Sequence, residues 1–144
     1  MTAPTLIKGG LAVDDRGVLS FVNDFNFTGV KRAYIVENHR PGFVRAWHGH
    51  QREAKYVLAL TGSALVCAVP LGAKKGDLTD VFRGVLSAAQ PAVLYIPPGY
   101  ANGWKSLTAG AKLMFFSTAT MEESKEDDIR FQAQYWNPWK VEER

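Results

Sequence analysis

The chain has 144 residues, 47% of them hydrophobic and 12% aromatic, which supplies one well-buried core and leaves no length for a second domain. Seventeen Lys and Arg against fourteen Asp and Glu give a net charge of +3, scattered rather than clustered; this excludes a nucleic-acid footprint and suits a small anionic partner. No apolar run approaches bilayer length, MTAPTLIKGG lacks a signal-peptide pattern, and the single Cys67 in LVCAV can form no internal disulfide, so a cytoplasmic protein with no membrane partner is expected.

In chain order, short β-rich runs follow one another: VLSFV (18–22), RAYIVEN (32–38), FVRAW (43–47), KYVLALT (55–61), SALVCAV (63–69), VFRGVLS (81–87), AVLYIP (92–97) and KLMFFST (112–118). Gly, Pro, Asn and Asp punctuate them, and none is long or periodic enough for a core helix. Alternation in KYVLALT puts Lys55, Val57, Ala59 and Thr61 on one face and Tyr56, Leu58 and Leu60 on the other. Short strands with turns such as TGS at 61–63 predict an antiparallel sandwich or barrel. The segment PLGAKKGDLTD, Pro70 to Asp80, reads as an exposed loop with the length to reach over a ligand. Beyond Met121 the strand pattern stops. EESKEDD (122–128) reads as a solvated turn or short helical segment, and Trp136 and Trp139 in YWNPWKVEER need cover from the same domain or a second subunit. The expected organisation is one domain over 1–144, with 121–144 as a packed C-terminal tail.

His48 and His50, one residue apart on a strand, point to the same face and look like half of a metal site. The run from Gly42 through His48, His50 and Lys55 to Gly62, followed by PPGYAN ending at Asn102, resembles the two motifs of the cupin superfamily. That resemblance implies an all-β fold, a single antiparallel jelly-roll barrel. It also implies a departure: metal-binding cupins carry glutamate where Lys55 stands and histidine where Asn102 stands. A protonated lysine cannot ligate a metal and an amide is a poor ligand for ions that favour imidazole, so neither a metal nor another cofactor is expected.

A narrower resemblance follows from DDRG (14–17), VRAWH (44–48), Lys55 and IPPGYANGW (96–104), whose order and spacing are similar to short relatives of dTDP-4-dehydrorhamnose 3,5-epimerase. VKRAYIV (30–36) with the His48/His50 pair also resembles the 3,4-ketoisomerases acting on dTDP-4-keto-6-deoxyglucose. These resemblances imply a metal-independent epimerase or isomerase of a nucleotide-linked, dTDP-type 4-keto-6-deoxy sugar, working as a homodimer. A 3,4-keto shift and a non-catalytic sugar-nucleotide-binding cupin are the alternatives.

Removing a proton beside a ketone needs a base and a partner for the enolate oxygen. His48 is the expected base, Lys55 the oxyanion partner and His50 a proton shuttle. His48 and Lys55 are seven positions apart, so a straight strand would put them on opposite faces; a bend at GHQRE is predicted, with the histidines ending one strand and Lys55 opening the next. Arg45 and Arg16 match family positions that hold the diphosphate or order the pocket, the alternative for each being a surface ion pair. Asn102, Trp47 and Tyr100 complete the expected substrate contacts, with core packing the alternative for the aromatics and for Trp104. Two family features are missing: Thr120 and Met121 occupy the region of the general-acid tyrosine, and no carboxylate can be assigned to His48, for which Glu53, Asp127 and Asp128 are candidates by availability.

Overall fold

The computed structural model describes residues 2–144. Its elements run β1 (Thr5–Lys8), β2 (Gly10–Asp14), β3 (Gly17–Phe21), β4 (Arg32–Glu37), β5 (Val44–His50), β6 (Lys55–Thr61), β7 (Ser63–Pro70), β8 (Phe82–Ser87), β9 (Ala92–Ile96), β10 (Tyr100–Ser106), β11 (Lys112–Ser117), α1 (Met121–Glu126) and β12 (Ile129–Arg130). One five-stranded antiparallel sheet has the order β1-β9-β6-β11-β4 and a second the order β12-β5-β10-β7-β8, while β2 and β3 stand apart as a two-stranded ribbon. The fold is the expected all-β jelly roll, built as two facing sheets; among the described residues no ladder joins them into a closed barrel.

Period-two alternation decides what meets between the sheets. Val57, Leu94, Leu113 and Phe115 from the first sheet pack against Val66, Ala68, Leu86 and Trp104 from the second. The outer face of the second sheet carries Trp47, Leu65, Cys67 and Val69, and the chain's own tail covers it with Trp136 and Trp139. The indole of Trp136 donates to the Lys74 carbonyl at 2.9 Å, and the Gly76 amide donates to the Tyr135 carbonyl at 2.9 Å. The loop after β7 therefore grips the tail instead of reaching over a ligand. Among the described residues no helix is long and apolar enough to cross a membrane.

Two consecutive connections carry the chain from one sheet to the other. The TGS turn is not a hairpin: β6 pairs within the first sheet and β7 within the second. Gly62 makes that corner with φ +67°, where a Cβ would stand 2.4 Å from Thr108 Oγ1. The preceding corner, residues 51–54, bends as predicted between β5 and β6. Asp127 clamps it, its carboxylate accepting the amides of Gln51 and Arg52 at 2.8 Å and of Glu53 at 3.1 Å. The consequence is that β5 and β6 present their histidines and lysine from opposite walls of one interior.

Candidate active site

His48 lies at the centre of three strands, opposite Asn102 of β10 on one side and Arg130 of β12 on the other. The β5–β10 register slips between Asn102 and Gly103, so His48 pairs with Asn102 while Ala46 pairs with Gly103 and Trp47 is skipped. This bulge resets the alternation and brings Arg45 and His48, three residues apart, to the same cavity. Gly103 is required opposite it, because a Cβ there would meet the Ala46 Cβ at 2.4 Å. The Asn102 side-chain amide donates to the His48 carbonyl at 3.2 Å, tying the bulge down.

The cavity between the sheets holds about 130 Å³ and is walled by Arg45, His48 and Asn102 from the second sheet and by Tyr34, Lys55 and Phe115 from the first. It continues into an outer lobe of about 400 Å³ that shares Tyr34, His48 and Lys55 and adds His50, Arg32, Lys125, Asp128 and Arg130. Lys55 is only 6% exposed and makes no ion pair or hydrogen bond among the described residues; its Nζ lies 5.7 Å from the Phe115 ring centre and 6.0 Å from that of Tyr34. Tyr34 stacks on Phe115 with centroids 5.1 Å apart. Trp104 also lines the inner lobe, and its buried indole N–H has no partner. Arg45 donates from Nε to Asn38 Oδ1 at 3.2 Å and forms no ion pair among the described residues, so its remaining guanidinium donors are uncommitted.

The electrostatics separate the groups by charge state. Burial, then the Lys55, Arg130 and Arg45 charges, lower His48 to about 4, with Asp128 opposing, so its imidazole is neutral near pH 7. Burial lowers Lys55 to about 8 against the pull of Glu53, leaving an ammonium poised to lose its proton just above neutrality. Burial, reinforced by Glu53, raises the Tyr34 phenol and keeps it protonated. His50 is lowered by burial and Lys55.

Of the residues expected from the sequence, His48, His50, Lys55, Arg45 and Asn102 are brought together. Three are not, Trp47, Arg16 and Tyr100, and the expectation that they line the cavity of their own chain is corrected. Trp47 is fully buried on the opposite face of β5, where its Nε1 donates to the Ala133 and Trp136 carbonyls at 3.2 Å, because strand alternation sets it opposite His48 and under the tail. Arg16, with its side chain 87% exposed at the ribbon tip, pairs with Asp14 at 2.6 Å and reaches neither lobe of its own chain. Tyr100 packs on the interior core but is not part of the cavity wall. Among the carboxylates, Asp127 is spent on the corner, Asp128 binds Arg130 beside His48, and Glu53 stands behind His50. Sequence reasoning passes over Tyr34 and Arg32 as site residues, although alternation in RAYIVE sets both on one face.

Residues 5–141 match the family described as dTDP-4-dehydrorhamnose 3,5-epimerase. No curated protein sequence matches the chain. Among solved structures, it is similar to dTDP-6-deoxy-D-glucose-3,5-epimerase of Legionella pneumophila, in complex with dTDP-4-keto-L-rhamnose, at 20% identity and TM-score 0.75 over 98% of this chain and 80% of that one. The rmlC epimerase of Mycobacterium tuberculosis gives 20% identity and TM-score 0.71 over 89% and 68%. The sugar 3,4-ketoisomerase of Thermoanaerobacterium thermosaccharolyticum, in complex with TDP, gives 20% and 0.68 over 92% and 90%. At these identities the likeness shows the fold.

Proposed function

The chain belongs to the dTDP-4-dehydrorhamnose 3,5-epimerase family, and on that premise we propose that it epimerises or isomerises a dTDP-linked 4-keto-6-deoxy sugar without a metal. The observation that carries this reading is the buried ammonium of Lys55 sharing one cavity with the neutral imidazole of His48. His48 takes the proton from the carbon beside the ketone, and Lys55 holds the charge that appears on the ketone oxygen. His50, on the outer lobe, handles the second proton. Among the described residues no three His, Cys, Asp or Glu side chains converge to hold a metal ion, and the donor set at the cupin motif is an amine and an amide beside imidazoles. Arg45, with Arg32, Lys125 and Arg130 around the mouth, matches the charge of a nucleoside diphosphate.

Incubation with dTDP-4-keto-6-deoxyglucose in deuterated water tests the reading. Deuterium entering C3 or C5 with inversion identifies an epimerase, a 3-keto product identifies an isomerase, and ligand protection without exchange reduces the protein to a binding module. The keto-shift reading draws on the histidine pair with no tyrosine at 120–121.

The protein is proposed to work as a homodimer in the cytoplasm. An isolated two-stranded ribbon is marginal in water, yet β2–β3 exposes Leu11, Val13, Val18 and Leu19, with Val13 72% exposed. Beside its base the outer face of the first sheet opens an apolar groove lined by Phe25, Phe27, Leu60 and Phe116. A second copy burying the ribbon would cover both and carry Arg16 away from its own barrel toward the other. The double variant Val13→Asp/Leu19→Asp should sediment as a monomer where the parent sediments as a dimer; a parent that is already monomeric overturns the assembly. The lone Cys67 thiol, pushed up to about 12 by burial, is inert and accords with a reducing compartment.

A further inference from the structure

Glu53 presents an unusual arrangement at the corner between the two candidate catalytic strands. Its side chain is fully buried, and its Oε2 accepts from the Ser117 hydroxyl at 2.6 Å and lies 3.5 Å from Arg32 Nη2. Its Oε1 is buried with no hydrogen-bond partner, 3.4 Å from His50 Nδ1. A buried carboxylate oxygen left unpaired is costly, and one that persists points to a role. The same Nδ1 lies 2.7 Å from the Asp127 carbonyl, which can only accept, so in the neutral ring Nδ1 carries the hydrogen and Nε2 is bare.

We propose that Glu53 is the positioning carboxylate of His50: held from behind by Ser117 and Arg32, it stabilises the imidazolium formed when Nε2 takes up a proton, in a ring whose tautomer the Asp127 carbonyl sets. The proposal rests on the reading of this cavity as a proton-transfer site, and it deepens that reading. His50 differs here from His48, which has no carboxylate within ion-pair range among the described residues. The charge balance around His50 is mixed. Lys55 from β6 disfavours its protonated form, while Glu53 and Asp127 favour it; Arg32, Lys125, Asp128 and Arg130 line the same outer lobe, as does His48. Glu53 is thus the group that lets one imidazole accept positive charge within a cation-rich cavity. The proton moves from substrate carbon or solvent to Nε2 and returns from Nε2, with no net change in the protein.

Nitrogen-15 NMR of ligand-free protein tests this without any substrate. The parent should show His50 with the hydrogen on Nδ1, and Glu53→Gln, nearly isosteric, should lower the His50 titration midpoint by about 1 pH unit. Ser117→Ala, which releases Oε2, should give a smaller shift in the same direction and serves if Glu53→Gln does not fold. In turnover, Glu53→Gln should lower kcat about 10- to 100-fold with little change in KM. A His50 ring with its hydrogen on Nε2, or a midpoint unmoved in both variants, overturns the proposal. A parent that titrates as described but turns over no keto sugar overturns the proposed function and leaves the Glu53–His50 coupling standing.

Discussion

Replacing Lys55 by methionine should lower kcat about 10²–10³-fold, the loss seen when one oxyanion donor is removed from a preorganised site, and should at the same time make the protein more stable. The second half follows from burial. The ammonium is 6% exposed and its pKa falls from 10.5 to about 8, so the folded state holds the charge less well than the unfolded chain does. That difference corresponds to about 3 kcal/mol at neutral pH. Part of it is offset when Glu53 loses a neighbouring cation, so a gain of about 1–3 kcal/mol is expected by denaturant titration. The sign can be checked against pH. Between about 8 and 10.5 the unfolded chain binds the proton and the folded protein does not, so parental stability rises across that window; the methionine variant should lack the rise. Activity runs the other way, with kcat/KM falling above about pH 8 as the ammonium is lost. A variant that loses stability and keeps its turnover would remove Lys55 from the mechanism.

His48→Asn should abolish deuterium exchange beside the ketone, a loss of about 10²–10⁴-fold if the imidazole is the base. The asparagine should be tolerated structurally, since the backbone of position 48 is fixed between Asn102 and Arg130 by strand pairing rather than by its ring. The pH dependence carries a second signature. In the free enzyme His48 is neutral down to about 4, so kcat/KM should hold well below neutrality and fail only as pH drops through that value. Bound diphosphate would neutralise the Arg45 and Arg130 charges that lower the ring, so the acid limb of kcat should lie above that of kcat/KM. Exchange that survives in the asparagine variant transfers the base role to His50. The folded protein should also lose stability from about pH 6.5 down toward 4, because the unfolded chain protonates this histidine first.

Much of the site is legible in the residues alone, for a definite reason. His48, His50 and Lys55 belong to short runs whose alternation is local, and the predicted bend between them is needed to make their parity consistent. All eight β-rich runs fall on strands. The strands without a clear pattern lie where local signals mislead: β10 carries Asn102-Gly103, a dipeptide that reads as a turn, yet the glycine is there because the neighbouring strand bulges toward it. Nothing in VRAWH announces that bulge, so simple alternation from His48 sets Arg45 on the face away from the cavity, when the structure brings both to one wall.

The strand set, the alternating faces and the identity of the imidazole–amine pair are written in the order of the residues, because each depends on side-chain types within a few positions of one another. Three other features come from the folded chain: β5 and β6 face each other from different sheets, Asp127 from beyond α1 clamps their corner, and Glu53 is seated against His50 by Ser117 and Arg32. The contacts that make them join residues dozens of positions apart, and those partners are selected by chain closure and burial, which no local pattern encodes.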